Sequence, residues 1–168
     1  MKNATGLTFL SLLLAVFMTT GCGLIEWMRP ATQQPIITDQ AGMIIFDAEE
    51  DSTMLREYNW LFEEGTQFWT PTRDDVLTLN ASAQEFLRTG PAADFHPDLW
   101  ERYNDYWRQY VGFFRDGQRL IYANYFCRAE EGWLDMLVEV MDGGNCYFQL
   151  TYDVDSGEFV SWYVNGEA

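Results

Sequence analysis

Across residues 110–164 apolar and polar positions alternate in short runs broken by turn residues, and this stretch predicts a sheet. Asp116-Gly117 divides Tyr110-Val111-Gly112-Phe113-Phe114 from Arg119-Leu120-Ile121-Tyr122-Ala123. Both turn residues tolerate positive φ, so a tight hairpin is expected there. Leu134, Met136, Val138 and Val140 then alternate with Asp135, Leu137 and Glu139, the period of a strand on a half-buried sheet. Asp142-Gly143-Gly144-Asn145 turns the chain. Cys146, Phe148, Leu150 and Tyr152 follow on the face expected to point inward, Asp153-Val154-Asp155-Ser156-Gly157 turns again, and residues 159–164 supply the last strand.

Upstream, Met43-Ile44-Ile45-Phe46 reads as a short strand, followed by an acidic loop of Asp47, Glu49, Glu50 and Asp51. In residues 54–69 the spacing of Leu55, Tyr58, Leu61 and Phe62 favours a helix over a hairpin of 58–62 with 67–69. The clearest helix starts at Thr72, where Thr72-Arg73-Asp74-Asp75 forms a capping box behind Pro71. Val76, Leu79, Ala83, Phe86 and Leu87 line one of its faces, and Gly90-Pro91 stops it. A second helix is expected from Pro97, with Asp98 and Glu101 in its first turns, an apolar stripe of Trp100, Tyr103, Trp107 and Tyr110, and Gly112 as its stop. Two helices before about five strands give an α+β domain, the helices packed on one face of a curved antiparallel sheet. In element order this resembles the cystatin-like and NTF2-like folds, a resemblance that implies no activity.

The first 22 residues have the form of an export signal: Lys2, an apolar run over 7–18, then small residues before Cys22. A run of about a dozen residues is too short to span a bilayer. Thr19-Thr20-Gly21-Cys22 resembles the lipobox of bacterial lipoprotein precursors, with Thr19 where that family usually has Leu. The resemblance implies a signal peptide over 1–21 and a lipidated, palmitate-bearing Cys22 that tethers the protein to a membrane of the bacterial cell envelope, on its periplasmic side. An ordinary secretory cleavage before Cys22 is the alternative. Gly23, not Asp, follows the cysteine, which in a Gram-negative host implies the outer membrane. Residues 22–40, with Pro30, Thr32, Gln33, Gln34 and Pro35, form the lipidated N-terminus and a flexible tether of roughly 25 Å. Residues 41–168 form the single globular domain.

Charge narrows the functional classes. The chain holds 26 acidic residues against 10 basic ones, a formal charge of −16. Its only lysine is Lys2, so cleavage would leave nine arginines against 26 acids, a charge of −17. Such a surface repels nucleic acid and anionic lipid headgroups, and no nucleic-acid partner is expected. Without lysine in the mature part, Schiff-base and Ser-Lys mechanisms are closed to it.

Cys127 and Cys146, in an oxidising compartment, invite a disulfide. If 119–127 and 133–141 pair as a hairpin, however, Cys127 sits about eight residues, or roughly 25 Å, from Cys146. Either the bridge exists and the meander fails near residues 128–132, or both thiols are free. Two cysteines and one histidine at these spacings match no zinc pattern, and no metal or cofactor is expected. His96, before Pro97, reads as a helix-entry residue; Glu130-Glu131 as surface acids, although paired carboxylates can hydrolyse glycosides; Asp153-x-Asp155-x-Gly157-Glu158 as a hairpin turn lacking an EF-hand's remaining ligands. The aromatic stripe is the most arguable binding feature. Trp100, Tyr103 and Trp107, with Arg108 beside them, stack on a sugar or apolar ligand if they line a groove, and are core if the sheet seals them. The expected function is therefore a non-enzymatic, membrane-anchored binding or scaffolding domain with an envelope protein or carbohydrate as partner. A carbohydrate or small-apolar-ligand module is the alternative, and an envelope hydrolase using paired carboxylates a third.

Overall fold

Asp116, at φ 53°, and Gly117, at φ 81°, close the hairpin expected from Asp-Gly, and the sheet grows from it. The structure, a computed structural model, describes residues 36, 37 and 41–167. The export signal, Cys22 and the rest of the tether lie outside the described residues. In chain order the elements are β1 (Ile36–Ile37), β2 (Gly42–Ile45), α1 (Ser52–Leu55), β3 (Phe68–Trp69), α2 (Arg73–Thr89), β4 (Trp107–Arg115), β5 (Gln118–Phe126), β6 (Tyr147–Asp153) and β7 (Glu158–Val164). The seven strands form one sheet in the order β1-β2-β4-β5-β6-β7, with β3 continuing alongside β4 beyond the end of β2. Only the β2–β4 pair is parallel. The class is α+β, as expected, and the sheet begins at residues 36 and 37, inside the stretch expected to be tether.

Both faces of the sheet are covered. On one, here the helix face, α2 lays Val76, Leu79, Ala83 and Leu87 against Tyr110, Ile121, Ala123, Tyr125, Phe148, Leu150 and Tyr152. Thr72 caps α2 as expected: its hydroxyl accepts from Asp75 N–H, and the Asp75 carboxylate accepts from Thr72 N–H. On the other, the loop face, Val111, Phe113, Leu120, Tyr122 and Phe126 lie beneath Leu55 of α1 and Phe62 of the loop after it, and beneath Trp133 and Leu137 of a second loop.

Three expected elements differ. The helix from Pro97 does not form: residues 97–106 are turns with one 3₁₀ segment, Tyr103–Asp105, and Trp107 begins β4. Residues 107–115 are apolar toward both sides, which suits a strand buried on both faces better than a one-sided helix. Gly112 is accordingly no helix stop. A Cβ there would lie 2.3 Å from the Trp69 carbonyl oxygen, so glycine is what lets β3 lie against β4. In residues 54–69 helix survives only as the single turn α1, and the chain then wraps irregularly so that Leu55 and Phe62 reach the core. Residues 133–141, which alternate like a strand, pair with none; β6 occupies the edge of β5 that they would need.

That last change resolves the cysteines. Phe126 pairs with Tyr147, so Cys127 and Cys146 sit side by side at the end of the ladder, Cα atoms 5.0 Å apart, and are bridged. Cys127 N–H donates to the Cys146 carbonyl at 3.0 Å, continuing the strand pairing through the bridge. Cys146 itself lies in a 3₁₀ turn (Gly144–Cys146) ahead of β6, half-buried, not on the inward face expected of it. The segment between the cysteines is thereby looped out across the sheet.

Candidate functional site

The looped-out segment is fastened to the sheet by a row of amides. Gln109, Asn124 and Gln149 are register neighbours on β4, β5 and β6, and Asn165 follows at the end of β7. Gln109 Nε2 donates to the carbonyls of Trp133 and Met136 at 2.5 and 2.6 Å, and its Oε1 accepts from Val138 N–H at 2.8 Å and from Asn124 Nδ2 at 3.1 Å. Asn124 Nδ2 also donates to the Val138 carbonyl at 2.8 Å. Asn165 Nδ2 donates to the carbonyls of Val140 and Asp142. Buried backbone needs partners, and here side chains supply what a neighbouring strand would have given. The Tyr58 hydroxyl, donating to the Leu137 carbonyl at 3.1 Å, ties the other covering loop to the same segment.

Where the two loops end, toward β7, the loop face opens into a groove of about 400 Å³. Trp60 comes from the first loop, Val138 to Met141 from the second, and Tyr122, Gln149, Tyr163 and Asn165 from the sheet. The groove gathers three of the most exposed large apolar side chains described: Trp60 at 62%, Met141 at 84% and Tyr163 at 60%. Tyr163 reaches it because it pairs with Gln149 and so shares the loop face. The register shift at Thr151/Tyr152 leaves Val160 unpaired, so that Phe159 and Trp162 both pack toward the helix face. Glu139 is the one carboxylate in the lining. Burial pushes the Tyr122 phenol up, and the Glu139 charge adds to it; the Tyr58 phenol is raised by burial and, less, by the same carboxylate. The amide donors of Gln149 turn inward, to Asn124 Oδ1 and Asn165 Oδ1 at 3.3 and 3.4 Å. The exposed aromatic faces can stack on a ligand, and Glu139 can take a positive charge or a hydrogen-bond donor.

The residues expected to bind through a helical stripe are dispersed. Trp100 is exposed at 39%, away from the groove. Tyr103 is sealed on the helix face, where its hydroxyl donates to Asn80 Oδ1 at 2.5 Å, an oxygen that also accepts from Tyr110 at 2.7 Å. Trp107 turns to the loop face and packs edge-on against Trp133, centroids 4.9 Å apart. Arg108 is buried at 8% exposure; it donates to the Tyr103 carbonyl at 2.5 Å, and its guanidinium lies 4.5 Å from the Tyr103 ring centre. Its Nε has no partner among the described residues.

The other chemistry-bearing residues have local duties. His96 sits in the turn after the 3₁₀ segment Pro91–Asp94, its N–H donating to the Ala92 carbonyl. Asp153 closes the β6–β7 turn by accepting from the N–H groups of Asp155 and Ser156, and Asp155 pairs with Arg119 at 2.9 Å. Glu130 and Glu131 border a depression with residues 136–140. The Tyr147 hydroxyl, donating at 2.6 Å, holds the Glu130 carboxyl below the usual range despite some burial, and Arg128 adds to the effect. A general acid needs the opposite shift. Among the described residues no cluster of His, Cys, Asp and Glu is arranged to hold a metal, and no helix is long and apolar enough to cross a membrane.

Sequence reasoning missed Trp60, Met141 and Tyr163. The available signal was residues 158–164, where Val160, Trp162 and Val164 alternate with Phe159 and Tyr163, leaving no polar face. Comparison with protein families, curated proteins and solved structures finds no match for this chain.

Proposed function

We propose that the protein is a membrane-anchored binding module of the bacterial cell envelope, held by a lipid on Cys22, with its ligand seat in the groove of Trp60, Met141 and Tyr163. The observation that carries the reading is the convergence of these three exposed apolar side chains on one concave site. Each comes from a different part of the chain, and isolated surface hydrophobics need no such arrangement. The tether leads into β1 at one edge of the sheet and Tyr163 lies on β7 at the other, five strand spacings or roughly 24 Å away. A ligand there stays clear of the tethered edge.

The two halves of the reading are tested separately in the native host. Palmitate labelling and intact mass report the anchor: a lipid-shifted mass that Cys22→Ser abolishes is expected, and an unlipidated wild-type protein would rule the anchor out. A Trp60→Ala/Met141→Ala/Tyr163→Ala triple variant reports the groove. It should accumulate and fold normally yet behave like a deletion of the protein. Full complementation by the triple variant would remove the groove from function.

A further inference from the structure

We propose that the groove takes an organic cation, an ammonium or guanidinium group carried on an apolar body. The inference rests on the groove being the ligand seat and names what sits in it. Three aromatic rings, Trp60, Tyr122 and Tyr163, line one site with the Glu139 carboxylate, and no basic side chain is among the lining residues. Aromatic faces are the negative pole of the ring quadrupole and attract a cation placed over them. A carboxylate among them adds a charged hydrogen-bond acceptor, whereas for an anionic ligand it is a repulsive element that nothing in the lining offsets.

The floor selects in the same direction. A neutral polyol needs donors as well as acceptors from its site, and here the amide donors of Gln149 are committed to the Asn124 and Asn165 side-chain oxygens and those of Asn165 to the Val140 and Asp142 carbonyls. Met141, the most exposed apolar side chain of the group, gives the ligand's apolar body an adaptable surface. The chain's formal charge of −16 extends the preference beyond the contact distance, since a surface of one sign raises the local concentration of the opposite ion. A volume of about 400 Å³ suits a small molecule or one long side chain.

The test is calorimetric titration of the full-length protein with three probes of matched length, hexylammonium, 1-hexanol and hexanoate, for the wild type, Glu139→Gln and Trp60→Ala. Glu139 and Trp60 are exposed, so both variants should fold, and near-ultraviolet circular dichroism checks that they do. The expected result is hexylammonium binding at least tenfold tighter than hexanol, with hexanoate weakest. Glu139→Gln should shrink the preference for the cation severalfold while leaving hexanol unchanged, and Trp60→Ala should weaken both. Added salt should reduce the hexylammonium affinity alone. Equal affinity for hexylammonium and hexanol, or a preference that Glu139→Gln leaves undiminished, overturns the cation inference but leaves the groove as a ligand seat. Binding that Trp60→Ala leaves unaltered, or no binding of any probe, overturns the groove reading and the inference with it.

Discussion

Five tyrosines are buried in the sheet's two cores, four on the helix face and Tyr122 on the loop face, and their hydroxyls are kept neutral by their surroundings. Burial raises the phenols of Tyr103, Tyr110, Tyr122 and Tyr125, and it pushes Tyr106 up to about 12. The Asn80 oxygen accepts from two of them, and the Tyr103 and Tyr125 hydroxyls meet at 3.2 Å. A raised folded-state pKa means that the native state holds its proton where the unfolded chain has already lost it. Stability is therefore intact below the ordinary tyrosine value of 10 and falls as pH climbs from there through the raised values. The expected outcome is cooperative alkaline unfolding, with tyrosinate absorbance near 295 nm appearing in step with loss of the far-ultraviolet circular dichroism signal. Ionisation of these five phenols along with the exposed ones, in a chain that stays folded, would contradict the buried cluster. Arg108 belongs to this neighbourhood: its guanidinium is spread over the Tyr103 and Tyr125 rings, 4.5 and 6.0 Å from their centres, and is covered by core. A lone arginine beside aromatic residues looks alike in sequence whether it faces a ligand or a core, because burial is decided by elements far along the chain.

At the scale of elements, the amide row sets how residues 133–142 lie. Gln109→Leu removes four hydrogen bonds and leaves the Trp133 and Met136 carbonyls without their partner, at a cost of about 3 kcal/mol. Urea denaturation measures the loss, and faster amide exchange confined to residues 133–140 would show that the segment, not the sheet, has loosened. Global destabilisation with unchanged local exchange would mean that the segment is held by Trp133 and Leu137 alone. The hairpin at Asp116-Gly117, the capping box at Thr72 and the strands 147–153 and 158–164 were legible because their signals are local: a turn, a cap, a period of two over 147–153, and an apolar run after the turn at 153–157. Residues 133–141 misled because alternation predicts an extended chain with two unlike sides, which this segment resembles, but does not say whether its backbone partners are strands or side chains. The stripe of Trp100, Tyr103, Trp107 and Tyr110 misled for a related reason. A strand buried on both faces has no period, so the apolar positions of β4 fell by chance at helical spacing.

For the whole molecule, the disulfide and the groove are linked by topology. Joining Cys127 to Cys146 at the end of the β5–β6 ladder throws the 128–145 excursion over the loop face, and the end of that excursion, with Met141, forms one wall of the groove. Cys127→Ser/Cys146→Ser should lower stability by about 3 kcal/mol, the chain-entropy value for a loop of this length, as read from the denaturation midpoint. It should also weaken ligand binding, because the wall is tethered less firmly. Alkylation of the wild type without reductant should label neither cysteine. The proposed ligand seat depends on Trp60, Met141 and Tyr163 being gathered to receive a ligand. Its most direct test is a fragment screen by ligand-observed NMR, comparing the wild type with the Trp60→Ala/Met141→Ala/Tyr163→Ala variant. Hits enriched in amines on apolar bodies are expected, all lost in the triple variant at unchanged fold. Hits that persist in the folded triple variant, or none in the wild type, would contradict it.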